Sequence, residues 1–139
     1  MGAVDVEAAL RFVAENHHAI LATRRRDGSP QLSPIVAGVD DQGRVVVSTR
    51  ETAIKVKNAR RDARVAVCAF GDSFFGPWAQ IDGTAEVVSL PDAMDGLVAY
   101  YRSISGEHPD WDDYRDAMQR EKRVLLLITP ERAGPNISG

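Results

Sequence analysis

Ala19-Ile20-Leu21-Ala22-Thr23, Gln31-Leu32-Ser33-Pro34-Ile35-Val36-Ala37-Gly38-Val39 and Arg44-Val45-Val46-Val47-Ser48-Thr49 are three apolar runs rich in β-branched residues, all within residues 19–49. Asp27-Gly28 and Asp40-Asp41-Gln42-Gly43 break them. Such breaks are turn signals, and the connections are too short for the crossover that parallel strands need. The stretch therefore reads as an antiparallel meander. Pro34 lies inside the second run. A proline cannot donate to a sheet ladder and belongs on an edge or at a bulge, so something other than a neighbouring strand is expected to face the backbone near Ser33-Pro34.

Working outward, Val6 to Asn16 reads as a helix capped by Asp5, with Val6, Ala9, Leu10 and Val13 on one face. A short basic helix, about Thr52 to Arg61, follows the meander and carries Lys55, Lys57, Arg60 and Arg61. Val65 to Phe70 reads as a buried strand, Gly71 to Pro77 as a loop, and Trp78 to Leu90 as a long strand bent at Asp82-Gly83. Pro91 opens a helix with Met94, Leu97, Val98 and Tyr101 on one face, and Asp110 caps another from Trp111 to about Glu121. Val124 to Thr129 reads as a last strand ended by Pro130, and residues 133–139 as a loose tail. The order is αβββαββααβ. Hairpins dominate and repeated βαβ units are absent, which predicts a mainly β fold, an antiparallel barrel with flanking helices.

The chain has 139 residues, 44% of them hydrophobic, which suits one domain spanning residues 1–139 with its own core. No apolar run has the length of a membrane helix, and Met1-Gly2-Ala3-Val4-Asp5 lacks the pattern of a targeting leader, so a cytoplasmic location is expected. The single cysteine, Cys68, excludes an internal disulfide and a multi-Cys zinc site; mid-strand, it reads as core packing. A pI near 5.6 argues against nucleic-acid binding. Residues 1–64 carry eleven Lys/Arg against eight Asp/Glu, and residues 65–139 carry six against twelve. The basic half can hold an anion, although for charge counts alone a solvated mixed-charge surface is the simpler reading.

Gly-x-Gly-x-x-Gly, Walker and nucleophile-elbow motifs are absent. His17-His18 reads as a helix-end cap and His108 as solvated. Asp110, Asp112 and Asp113 read as a hydrophilic helix start, so no metal site is expected. A strand end followed by a helix start, Val47-Ser48-Thr49 to Lys55-Val56-Lys57, offers hydroxyls, cations and free backbone N–H groups that together can hold a phosphate; the alternative is a solvated basic helix.

Four stretches carry a family resemblance: Leu21-Ala22-Thr23 with Asp27 to Ser33; Lys55-Val56-Lys57-Asn58-Ala59-Arg60-Arg61-Asp62-Ala63-Arg64-Val65; Tyr100-Tyr101-Arg102 through Gly106-Glu107-His108-Pro109-Asp110-Trp111 to Arg115; and Lys122-Arg123-Val124-Leu125-Leu126. In this order they resemble the pyridoxamine 5′-phosphate oxidase-like split β-barrel family of flavin and deazaflavin proteins. More narrowly, they resemble its actinobacterial branch of coenzyme F420-dependent reductases. The resemblance implies a split antiparallel barrel, a homodimer with cofactor sites at the subunit interface, and a small-molecule substrate. It implies that Gln31, Ser33, Pro34 and Ile35 line the cofactor ring, that Val47, Ser48, Thr49, Lys55 and Lys57 hold its phosphate end, and that Trp78 lies near it or packs an interface. The implied activity is hydride transfer from reduced deazaflavin to an electron-poor double bond. The alternatives are an FMN-dependent oxidase or reductase and a non-catalytic cofactor carrier. FMN-using members tend to carry Arg-Lys-x-Lys where this chain has Ile54-Lys55-Val56-Lys57, and deazaflavin relatives often carry an arginine where it has Ala53. Arg50 is the nearest replacement. No catalytic acid stands out: solvent, Ser33 or Tyr101 can supply the proton, and Phe74 and Phe75 can wall a conjugated substrate or cover a dimer interface.

Overall fold

The computed structural model describes residues 5–134. Helix α1 (Val6–Glu15) opens on Asp5, whose carboxylate accepts the Ala8 N–H, and closes on Asn16. Its apolar stripe seats Ala9 and Val13 at the barrel core. Strand β1 (His18–Arg24) leads through a turn to β2 (Pro30–Val39). Gly28 takes φ +87° there, and Asp27 accepts the Ser29 N–H. A second turn, held by Asp40 accepting from Gln42 and Arg44, leads to β3 (Val45–Arg50). Then come α2 (Ile54–Arg61), β4 (Arg64–Phe70), β5 (Trp78–Val88), α3 (Met94–Ser105), α4 (Trp111–Arg120) and β6 (Arg123–Ala133). The expected order αβββαββααβ is the observed one.

All six strands pair antiparallel in a closed barrel, β1-β2-β3-β6-β5-β4. Alternation sorts the side chains. Leu21, Val45, Val47, Val67, Ile81, Leu126 and Ile128 fill the interior, which α1 closes. A second apolar cluster lies outside the barrel, where Leu97, Tyr114 and Met118 of α3 and α4 cover Val46 and Leu125 of β3 and β6.

The barrel is split at one seam. Strand β2 pairs with β1 from Pro30 to Val36, but with β3 only from Ala37 to Val39. The Ala37 N–H donates to His17 C=O across the β1 side. By alternation, odd residues of β2 bond toward β1 and even residues face the seam. Pro34 is even, so the residue with no N–H sits where the ladder stops. That is the edge position expected from the sequence, with β1 pairing on the other side.

Several boundaries differ from the sequence reading. Strand β6 continues through Pro130, because Pro130 falls opposite Gly83 beside the register shift at Asp82/Gly83; a bulge tolerates the missing donor. A Cβ on Gly83 would lie 2.3 Å from the Thr129 carbonyl oxygen, so the two backbones meet too closely for any side chain. Ala133 is buried and pairs with Ile81 in β6, so the strand includes the first residue of the expected tail, and residues 135–139 lie outside the described residues. Pro91 lies in a turn before α3, which begins at Met94. Asn16, not His17, closes α1: its N–H and side-chain amide both donate to Phe12 C=O, while His17 Nδ1 donates to Ala37 C=O. Cys68 is half-buried on the outer face of β4, and burial pushes its thiol pKa up. Among the described residues, no helix is long and apolar enough to cross a membrane.

Candidate functional site

A groove of about 850 Å³ runs along the seam on the outside of the barrel. Its floor is β1 and the β2 edge, through Ile20, Pro34 and Ile35. One end is polar: Ser48 and Thr49 from β3, Lys55 from α2, and Arg123 from β6. The wall is aromatic: Tyr100 and Tyr101 from α3, with Tyr114 and Met118 from α4. Phe70 and His18 close the remaining side.

Local structure explains why these groups converge. Beyond Val47, β3 parts from β2 and remains paired with β6, so Thr49 faces Val124 and Arg50 faces Arg123. Helix α2 then starts at Ala53, which supplies no side-chain cap, so the first-turn N–H groups lack that acceptor. Uncapped N–H groups and the positive end of a helix favour an anion. Asn58 docks α2: buried, it donates to Thr23 Oγ1 at 3.0 Å and accepts from Arg61 at 2.7 Å. Arg61 also donates to Arg24 C=O.

The tyrosines differ in their commitments. Tyr100 donates from its hydroxyl to Val36 C=O at 2.7 Å, at the point where β2 leaves β3. Burial pushes its phenol pKa up, opposed by the Ser48 backbone and the Arg123 charge. Tyr114 donates to Leu97 C=O at 2.8 Å, binding α4 to α3, and burial pushes its pKa up to about 12. For the Tyr101 hydroxyl, the described residues provide no hydrogen-bond partner. Its ring packs against His108, Trp111 and Tyr114. His108 is therefore half-buried among aromatic rings rather than solvated, with Nδ1 accepting the Asp110 N–H.

Of the residues expected at a site, Pro34, Ile35, Ser48, Thr49 and Lys55 come together in the groove. Gln31, Ser33, Val47, Lys57 and Trp78 do not line it. Val47 is in the barrel core, and Lys57 is exposed. Gln31 contacts Thr23 and Leu32. Trp78 pairs across the hairpin with Phe70. Ser33 has a buried Oγ without a hydrogen-bond partner among the described residues. Phe74 stacks on Phe70 at 5.8 Å and Phe75 meets Phe74 edge-on; both are exposed, at 73% and 95%.

Of the α3–α4 wall the sequence names Tyr101, but Arg123, Tyr100, Tyr114 and Met118 are not marked by it as site residues; which way β6 turns its first residue is not written in local periodicity.

The donor set fits a planar, anion-bearing cofactor. The volume lies within the usual range for small-molecule sites, roughly 300–1,000 Å³. The floor is apolar and one end is cationic and hydroxylic, through Lys55, Arg123, Ser48 and Thr49. No group of three or more His, Cys, Asp or Glu able to hold a metal comes together among the described residues.

Comparison with known proteins agrees with this architecture. The family described as "Pyridoxamine 5′-phosphate oxidase" matches residues 6–135. A conserved hypothetical protein, Rv2991 from Mycobacterium tuberculosis, is 28% identical with a TM-score of 0.75, covering 94% of this chain and 82% of that one. An F420 reductase superimposes with a TM-score of 0.65 at 19% identity, covering 89% of this chain and 94% of that one. A heme binding protein from Mycobacterium smegmatis gives 0.67 at 15% identity, covering 96% of this chain but 54% of the other. At such identities the last two share the fold alone.

Proposed function

The chain belongs to the pyridoxamine 5′-phosphate oxidase family, and from that premise we propose that it is a coenzyme F420-dependent oxidoreductase acting on a small organic substrate in the cytoplasm. The observation that carries this reading is the seam groove, with an apolar strand-edge floor leading to Ser48, Thr49 and Lys55 at the uncapped start of α2. When bound, the reduced deazaflavin supplies a hydride to an electron-poor double bond of the substrate.

The protein's own part is binding, orientation and proton supply. Lys55, Ser48 and Thr49 hold the anionic end by charge-assisted and hydroxyl hydrogen bonds. Pro34 and Ile35 line the ring. Tyr100 and Tyr114 have spent their hydroxyls on backbone carbonyls and hold the wall in place. Tyr101, whose hydroxyl has no partner among the described residues and which lines the groove, is better placed than Ser33, which does not line it, to give a proton to the reduced substrate. A second copy of the chain completes the site in this reading, covering exposed Leu32, Val36, Phe74 and Phe75. Ile54, standing where FMN-using members tend to carry arginine, disfavours FMN.

The test is a fluorescence titration with F420, FMN and haem, on wild type and Lys55→Ala. Haem is included because His18 borders the groove. The expected result is preferential F420 binding, weakened about 10–100-fold in Lys55→Ala, the value of one charge-assisted hydrogen bond of about 1.5–3 kcal/mol. Preference for FMN or haem, or binding of none, overturns the assignment.

A further inference from the structure

The anion end of the groove holds fewer charges from α2 than the sequence promises. Lys55 lines it, but Lys57 is exposed and does not. Two residues along a helix is about 200° around it, so the two lysines cannot serve one ligand. Ala53 offers no side-chain donor, and Arg50 lies outside the lining, exposed, with Nη2 3.7 Å from Glu121. Lys55 is therefore the one cation α2 brings to this end among the described residues, and a phosphate dianion carries a second charge to be met.

Strand β6 supplies a second cation. Lys122 takes φ +52° between α4 and β6, and its carbonyl accepts the Glu51 N–H, tying this turn to the β3–α2 connection. The next residue, Arg123, pairs with Arg50, adjoins Thr49 and lines the groove. Its guanidinium is clamped along one edge: Nε and Nη2 both approach Glu121 Oε1, at 2.9 and 2.8 Å. Nη1 has no partner among the described residues. Its charge acts to lower the phenol pKa values of both Tyr100 and Tyr114, which also line the groove.

We propose that Arg123, held in orientation by Glu121, is the second cation for the ligand's phosphate and acts with Lys55, Ser48 and Thr49. This rests on the cofactor reading above. It makes Arg123 a specificity residue: it distinguishes a phosphate-bearing deazaflavin from the same ring system without phosphate. A guanidinium can keep two contacts to the carboxylate and still present a planar donor edge. A lysine in its place cannot.

The experiment compares wild type, Arg123→Gln and Arg123→Lys with F420, with the phosphate-free deazaflavin chromophore 8-hydroxy-5-deazariboflavin, and with that chromophore's 5′-phosphate, which lacks F420's carboxylate tail and must show the same loss as F420. Binding is followed by fluorescence between 50 and 300 mM salt. In wild type, F420 is expected to bind more tightly than the chromophore. Arg123→Gln is expected to weaken F420 tenfold or more and flatten its salt dependence, with chromophore affinity changed less than twofold. Arg123→Lys is expected to recover only part of the loss. Unchanged F420 affinity in Arg123→Gln overturns the assignment while leaving the cofactor reading intact. Equal loss for F420 and the phosphate-free chromophore shows a structural role and also overturns it. Wild type that binds none of the probes defeats the cofactor reading, and this inference with it.

Discussion

Replacing Asn58 with Ala removes the polar link that fixes α2 to the barrel. The Asn58 amide donates to Thr23 Oγ1 at 3.0 Å, and its carbonyl accepts from Arg61 at 2.7 Å, with Asn58 only 4% exposed. A neutral hydrogen bond contributes about 1 kcal/mol and a partly exposed charged one about 1.5 kcal/mol. Thr23 is 1% exposed, and its other side-chain contact, to Gln31, is a long 3.5 Å, so its hydroxyl is left nearly stranded. The expected destabilisation is about 2–4 kcal/mol, which for a chain of this length lowers Tm by about 7–14 °C. Urea unfolding measures the loss directly. A cycle with Thr23→Val isolates the pair, with an expected coupling of about 1 kcal/mol. A loss under about 0.5 kcal/mol, or a coupling indistinguishable from zero, refutes the view that this buried pair holds the helix.

Two further substitutions are separated by what a new methyl meets. Gly83→Ala drives Cβ to 2.3 Å from a backbone oxygen, whereas Gly96→Ala meets the movable tip of Leu125 at 2.4 Å. Gly83→Ala is expected to cost about 3 kcal/mol or more, at the upper end for overpacking. Gly96→Ala should cost less, and the urea midpoints test that order; the reverse order would show that the bulge is not as tight as described. Acid should also destabilise the fold. Hydrogen bonds from the Arg64 side chain and backbone hold Asp62 at about 2 against an ordinary 3.8, and the Arg60 hydrogen bond lowers Glu51. Folded-state pKa values below the unfolded ones give stability that is complete above the unfolded value and lost as pH falls through the folded one. Tm should therefore stay level above about pH 5 and drop between about pH 4 and 2, with Asp62→Asn reducing the drop; a flat profile in that window contradicts the pairing.

The fold was legible because its signals are local. Asp5 and Asp110 cap the helices they precede, as their positions suggested, through the Ala8 and Asp113 N–H groups. The meander and the bend at Asp82-Gly83 were equally plain. Pro130 misled because one strand's sequence does not reveal that its partner bulges opposite it. The site was half legible for a similar reason. Ser48, Thr49 and Lys55 are close in the chain, and one strand-to-helix step brings them together. Arg123 reaches them only by pairing with Arg50, seventy-three positions earlier. His108 looked exposed beside Pro109 and Asp110, but α3 and α4 close aromatic rings around it.

Strand β6 also sets the order in which the molecule can be completed during synthesis. It lies between β3 and β5, yet follows every other strand in the chain. A ribosome-bound chain that stops short of Arg123 has five strands and two unpaired edges, with neither a closed ring nor an assembled anion end. Such edges invite pairing with other chains. A chain lacking β6 is therefore both open to misassembly and without its functional groove, and one strand of eleven residues ends both conditions together.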